Sequence, residues 1–239
     1  MEKLVGIDYS YSCPAVSLYE CALHDPFDLD KVKHLVVFRK ANKEKYKRDE
    51  FVEIPDLKFD LIKFNFLARL TSEFLQPFQT NTYVAIEDYS FSSKGGRNFT
   101  IGENCGILKA KLWNDGARIR LYSPMLIKRF AKECNEELAI EFSDGKLKKD
   151  GSAKIGALKK SAMHEILCWK FNVDLSDKYK LKKYKSPLAD IVDSLWILYI
   201  LWMEMKVRAG ILNNLSEHEI NFITDGVKGC GLDKNPFIY

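Results

Sequence analysis

Four carboxylates interrupt apolar runs in this chain. Asp8 closes KLVGID, Glu87 closes YVAIE, and Asp190 and Asp193 sit inside SPLADIVDSLWILYILW. A charged acid within an apolar element is costly unless it is paired or coordinates a metal. Four of them, spread over the whole sequence, are expected to converge on a divalent cation. Asp8 and Glu87 each end a strand-like run in the same register. Adjacent strand residues point to opposite faces, so only one of Glu87 and Asp88 can join a shared site; Glu87 is chosen, with Asp88 in reserve. Asp190 and Asp193 are three apart and share a helical face. A Ser186 cap would put Asp190 in a first turn, where the helix dipole favours an acid, but Asp193 lies deeper, just before Leu195, Trp196 and Ile197. With no basic residue between Pro187 and Met205, a metal rather than an ion pair is the expected partner. All-oxygen ligands suit Mg2+ or Mn2+ rather than zinc. Two such ions about 4 Å apart can activate a water and stabilise the leaving oxygen of a phosphodiester.

The elements that must position these acids follow from periodicity. Leu4–Asp8, Ala15–Cys21 and His34–Arg39 read as three strands, making an antiparallel meander plausible. Asp56–Gln76 places Leu57, Leu61, Phe64, Leu67, Leu70 and Phe74 at helical spacing. Tyr83–Glu87 is a strand, and the glycine-rich SSKGGRN precedes a helix near Ile101–Trp113. Arg118–Tyr122 is a further strand, and Ser123-Pro124 is a good helix start. The spacing predicts helices over Lys154–Phe171 and from Ser186-Pro187 to near Gly210, joined by a basic linker at Leu175–Lys185. The latter helix is apolar almost all round and should be buried. A short helix follows Ser216, where SEHE can form a capping box. No repeat or long linker divides the chain.

Composition narrows the class. The 239 residues are 46% hydrophobic and 29% charged, enough for a large core in a water-soluble protein. The stretch Leu195–Met203 is too short to span a bilayer, and the N-terminus opens into a strand with neither a secretory nor a transit signal. Six cysteines (13, 21, 105, 134, 168 and 230) show no CxxC pair or zinc spacing, so reduced thiols in a cytoplasmic protein are expected. The net charge of +4 is unevenly spread: twelve lysines face four acids between Lys146 and Lys185, and Lys40, Lys43, Lys45 and Lys47 form a second block. Beside an acidic metal site, such blocks favour a polyanionic partner, because lysines that neutralise phosphates release counterions. Lys94 and Arg97 flank Gly95-Gly96, a loop able to approach a backbone closely. His164, mid-helix in SAMHEIL, is expected to be partly buried and structural, and the absence of GK[ST] excludes a P-loop.

Taken in order, GIDYSYSCPAVSLYE, IEDYSF with IGENCGILKAKL, YSPMLIKRFA with GSAKIGALKKSAMHEIL, and SPLADIVDSLWIL resemble the RuvC-like Holliday junction resolvases of the RNase H-like superfamily. The likeness covers most of the chain, leaving out an insertion around 25–53 and an extension at 211–239. It implies an α/β RNase H-like fold in one nuclease domain: a central mixed five-stranded sheet, three antiparallel strands then parallel ones, flanked by helices. It also implies that Asp8, Glu87, Asp190 and Asp193 hold two Mg2+ ions, with Mn2+ able to substitute, and hydrolyse DNA phosphodiesters. A homodimer would nick opposing strands of a four-way junction. In such resolvases an aromatic residue after the strand-end Glu wedges into the junction; Tyr89 and Phe91 lie nearby, one residue out of the usual spacing. Lys154, Lys159 and Lys160 match the family's DNA-contacting basic stretch.

Two other readings stay open at this point. The chain would be an RNase H-like nuclease acting on flaps or RNA–DNA hybrids, or a non-catalytic DNA-binding protein whose acids are structural. A sugar-kinase-like phosphotransferase shares the GIDxS strand end, but no second phosphate loop is visible.

Overall fold

The computed structural model describes residues 1–10, 14–39, 51–78, 80–88, 97–142, 151, 158–226, 229–232 and 237. Six strands form one mixed sheet: β1 (Glu2–Asp8), β2 (Ala15–Cys21), β3 (Lys33–Arg39), β4 (Phe51–Ile54), β5 (Thr82–Glu87) and β6 (Arg118–Tyr122), in the spatial order β4-β3-β2-β1-β5-β6. β1, β2 and β3 make the expected antiparallel meander. β5 then joins β1, and β6 joins β5, both parallel. The α/β class and the antiparallel-then-parallel sheet match the expectation, with one correction. β4 pairs in parallel with β3 and brings the count to six rather than five. It was missed because four residues, FVEI, are too short for an alternation to register. The stretch set apart as an insertion therefore supplies sheet: β3 and the start of β4 both fall within 25–53.

Helices cover both faces. On one lie α1 (Asp60–Phe74) and α2 (Arg97–Asn114), packed on Val5, Ile7, Val84 and Ile86. On the other lie α3 (Pro124–Cys134), α4 (Glu136–Glu141), α5 (Lys160–Phe171), α6 (Leu175–Tyr179), α7 (Leu188–Arg208) and α8 (Glu217–Thr224), packed around Leu4, Ala85 and Tyr122. Two predicted caps are present. Ser123 accepts from the Leu126 N–H ahead of Pro124, and Ser216 and Glu219 form a reciprocal capping box. Three expectations need correction. α7 is capped by Pro187 without a side-chain bond, because the Ser186 hydroxyl donates to the Asp190 carboxylate instead. The 175–185 linker contains α6, whose Asp174 cap accepts from Ser176 and Asp177 N–H; the lysines obscured that signal. α2 begins at Arg97, four residues before the predicted Ile101.

α7 is the central element, buried from Leu188 to Lys206 except at Asp193. It lies directly on β1, and Gly6 is the reason. A Cβ at Gly6 would stand 2.3 Å from Ser194 O and 2.4 Å from Leu198 N, so the two backbones touch where any side chain would hold them apart. Polar groups finish the contact. The Ser194 and Ser17 hydroxyls are 2.6 Å apart, Ser17 lies 2.9 Å from His34 Nδ1, and His34 Nε2 lies 2.7 Å from the Tyr179 hydroxyl. Since Ser194 already donates to Ile191 O, we infer that Ser17 donates to Ser194, His34 Nδ1–H to Ser17, and Tyr179 to His34 Nε2. Burial pulls the His34 pKa down to about 3, in keeping with this neutral tautomer.

The far end of α7 is tied by a buried ion pair. Glu204 accepts from Arg120 Nε at 3.0 Å, from the Tyr122 hydroxyl at 2.7 Å and from Arg208 at 2.8 Å. Arg120 also reaches Cys230 O, and Arg208 reaches Leu232 O, so residues beyond α8 join the core. Among the described residues, no helix is long and apolar enough to cross a membrane.

The Gly6 contact yields a direct test. Gly6→Ala should destabilise the protein by at least about 2 kcal/mol, the cost of overpacking against backbone that cannot yield, measured as a shift in denaturant midpoint. A midpoint within error of the parent would show that α7 does not depend on this contact.

Candidate active site

Asp8 and Glu87 are placed together by strand pairing. β1 and β5 run parallel, with Gly6 opposite Ala85 and Ile7 opposite Ile86, so the next residue of each strand emerges at the same end of the sheet. Alternation sets the face. Val5, Ile7, Val84 and Ile86 pack towards α1 and α2, which leaves Leu4, Gly6 and Asp8, with Ala85 and Glu87, on the α7 side. α7 meets that face at Gly6, and its N-terminal turns carry Asp190 and Asp193 past Asp8. One oxygen each from Asp8, Asp190 and Asp193 lie within 4.8 Å of one another. Glu87 lines the same cleft, of about 290 Å3, together with Ser10, Lys128 and Lys160. Asp88 instead donates its backbone N–H to Tyr122 O at 2.8 Å and is not part of the cleft lining.

Two lysines meet the acids. Lys160, at the start of α5, has its Nζ 2.9 Å from Asp190 Oδ1 and 3.3 Å from Asp193 Oδ2. The expectation of a metal rather than an ion pair at the α7 acids rested on the lack of a base within α7; an ammonium arrives instead from another helix. Lys160 remains about half exposed. Lys128 on α3 favours the ionised forms of Glu87 and Asp193. Asp190 is engaged on both oxygens, by Lys160 on one and by Ser186 on the other.

The cleft carries more negative charge than its lysines neutralise. Burial raises the Asp8 pKa well above its usual range, and Asp193, Glu87 and Asp190 raise it further. Burial and the Asp193 charge push Glu87 up to about 7, although Lys128 and Lys160 oppose them. Asp193 is raised by burial against the pull of Lys160 and Lys128. For Lys160, burial acts to lower the pKa, but Asp193, Asp190 and Asp8 outweigh it and raise it. Oxygen donors this close, partly buried and short of positive charge fit a hard divalent cation. Leu158, Ile127, Met163 and Ile197 wall the cleft on its apolar side.

The other sequence candidates distribute differently. Tyr89, Phe91, Lys94 and Lys154 lie outside the described residues. Arg97 opens α2, and Lys159 is the exposed N-cap of α5. His164 is fully buried rather than partly so, beside Glu165 and Cys168, which keeps it in the structural role expected. Sequence reasoning missed Lys128, Ser10 and Ser186. A signal for Lys128 existed: α3 starts directly after β6, whose Tyr122 pairs with Glu87, and ligands of open parallel sheets gather at the carboxyl ends of the strands.

Solved structures similar to the chain include two of RuvC. Thermus thermophilus RuvC shares 14% identity over 87% of this chain and 97% of its own, with a TM-score of 0.47. T. thermophilus RuvC in complex with a Holliday junction substrate shares 16%, over 88% and 97%, with a TM-score of 0.48. Identities this low carry no function across. No family model matches the sequence, and no curated protein does.

The electrostatics predict a pH dependence. An unfolded Glu87 releases its proton near 4.5, whereas the folded one holds it until about pH 7. Between those values the folded Glu87 holds more proton than the unfolded one, so its contribution to metal-free stability should fall as pH rises, by on the order of a few kcal/mol, whereas the buried neutral His34 contributes in the opposite sense below about pH 6.5. Denaturant titrations in chelator at pH 4.5, 6 and 7.5 should therefore show the parent losing stability relative to Glu87→Gln, a difference in which the His34 contribution cancels. Millimolar Mg2+ or Mn2+ should offset that loss in the parent, because a ligand of the folded state alone stabilises that state. A parent that gains stability relative to Glu87→Gln as pH rises in chelator would contradict the charge balance described.

Proposed function

We propose that this chain is a metal-dependent endonuclease that cuts branched DNA, four-way junctions in particular, by hydrolysing phosphodiesters. The observation that carries the reading is the carboxylate cleft: Asp8, Asp190 and Asp193 gathered within 4.8 Å, with Glu87 beside them. Asp8, Glu87, Asp190 and Asp193 would hold two Mg2+ ions, with Mn2+ able to substitute. When bound, the metals supply Lewis acidity and a water of lowered pKa. The chain does the rest. The strand ends and α7 fix the ligands, and Ser186 orients Asp190. The apolar wall excludes bulk water from one side, and Lys160 and Lys128 offset the repulsion between the acids and an incoming phosphate. Lys160 is half exposed on a long stem, so it can move aside as a metal takes over its partners. A cytoplasmic site of action, in the cell or in a host cell, and a single nuclease domain belong to the same reading.

Paired cleavage needs two cleavage centres, and a second copy of the chain would supply the other. The outer face of α1 and α2 suits an isologous contact. Phe59, Ile62, Phe99 and Trp113 are exposed there, beside a groove lined by Leu57, Phe66 and Ile107. A Cβ added at Gly102 or Gly106 of α2 would meet nothing within 4 Å. Packing among the described residues therefore does not call for these helix-weakening glycines, whereas a closely crossing helix would.

Asp8→Asn and Glu87→Gln should each reduce cleavage of a labelled four-way junction by at least about a thousandfold, a loss typical of removing a principal source of transition-state stabilisation, with junction binding retained. Near-parental cleavage by either variant would remove that residue from the site. Flap, hybrid and linear duplex substrates run in parallel decide the substrate class. Cleavage without added metal, in the presence of chelator, would overturn the mechanism. For the assembly, Ile62→Asp should convert a dimer into a monomer by light scattering and turn paired nicks into single ones. A parent that is already monomeric while making paired nicks would exclude this face.

A further inference from the structure

The cleft poses a problem that its own lysines solve only in part. Lys160 is paired with Asp190 and Asp193, and Lys128 lines the cleft beside Glu87, so two ammonium groups face four carboxylates and further cations on the rim would be needed to admit a polyanion. The connection between α6 and α7, residues 180–187, reaches that rim. Ser186 bonds Asp190, and Lys185 O accepts the Ala189 N–H of α7 at 3.0 Å. Consecutive Cα atoms are about 3.8 Å apart, so Lys185 emerges within a few nucleotide steps, about 3.4 Å of duplex axis each, of the acids.

This connection is built rather than merely solvated. The Tyr184 hydroxyl donates to Glu165 Oε1 at 2.6 Å, and its ring meets the buried His164 edge-on at 5.3 Å. Lys183 bridges Glu165 at 3.7 Å and Asp174 at 3.4 Å. Tyr184 holds φ at +60°, a left-handed conformation that costs a bulky side chain energy. Lys180 and Asn172 are left-handed as well, but both are helix C-caps, and Asn214 is of a type that tolerates the conformation; the bulky Tyr184 caps no helix, and its contacts with Glu165 and His164 offset the cost. The two lysines that flank this latch, Lys182 and Lys185, are exposed and have no acidic partner among the described residues. The latch thus uses Lys183 and Tyr184 and leaves Lys182 and Lys185 exposed to solvent, Lys185 directly preceding the Ser186 that bonds Asp190 in the cleft.

We propose that residues 182–185 form a phosphate clamp on the DNA strand that enters the cleft, with Lys182 and Lys185 contacting the backbone and Tyr184 and Glu165 acting as the positioning latch. The clamp rests on the nuclease reading above and adds to it a sequence-independent backbone contact outside the carboxylate site. Strand recognition here is electrostatic, so its mark is salt dependence.

The test is fluorescence anisotropy of a labelled four-way junction, in chelator so that nothing is cut, at a series of salt concentrations. Lys182→Ala/Lys185→Ala should weaken binding several-fold and make the slope of log affinity against log salt shallower by between about 1 and 2, close to one per lost phosphate contact. Lys33→Ala/Lys58→Ala, an equal charge change at exposed positions away from the cleft, should leave the slope near the parent's. Tyr184→Phe should weaken binding with the slope unchanged, since it loosens the clamp without removing charge. An unchanged slope in the Lys182/Lys185 variant, or an equal loss in the Lys33/Lys58 control, would overturn the clamp while metal-dependent cleavage by the parent left the nuclease reading standing. Unchanged affinity in Tyr184→Phe would overturn the latch. A parent that bound no branched DNA would overturn the clamp and the nuclease reading together.

Discussion

The close approach of α7 to β1 is the constraint on which the rest depends. Strand pairing alone brings Asp8 and Glu87 side by side, but it does not bring in Asp190 and Asp193, which lie more than a hundred residues later in the sequence. They arrive because the α7 backbone rests on the sheet at Gly6, where Ser194 and Leu198 occupy the space of a missing side chain. Gly6 stands two residues before Asp8 on the same face, and Ser194 directly follows Asp193. The contact that seats the helix and the groups that do chemistry are thus neighbours on both elements. A displacement at one is a displacement at the other.

Seating acids in this way brings like charges together in a partly dehydrated cleft. The raised affinities of Asp8, Glu87 and Asp193 for protons express that cost. Lys160 and Lys128 relieve it from two different helices, without either being buried permanently among the acids. This arrangement differs from the Arg120–Glu204 pair at the other end of α7, where both partners are fully enclosed and bonded to several neighbours. The first is a charge cluster left open to exchange its counterions; the second is closed and serves architecture. One helix carries both.

Much of this was legible in the chain itself, for identifiable reasons. Acids that break apolar runs are conspicuous, and alternation alone distinguished Glu87 from Asp88. The Ser123-Pro124 start and the SEHE box are local chemistry, complete within four residues. What escaped were effects of distance or of masking. Lys160 reaches Asp190 across thirty positions, which a scan along one helix does not see. β4 is too brief to show a period, and α6 was hidden because lysines dominate its surroundings while the decisive residue is its Asp174 cap. The Ser186 hydroxyl was assigned to a backbone amide when a carboxylate four residues on was the better acceptor.

The Arg120–Glu204 pair has a bearing on what counts as the body of this protein. Its guanidinium reaches the carbonyl of Cys230, and Arg208 holds that of Leu232, so these residues beyond α8 help to enclose a charge deep in the interior. A buried cation stripped of an acceptor is among the more expensive defects a fold can carry. Shortening the polypeptide after α7 would therefore let water into the base of the same helix whose tip bears the acids. What looks in the sequence like an appended end is a plug.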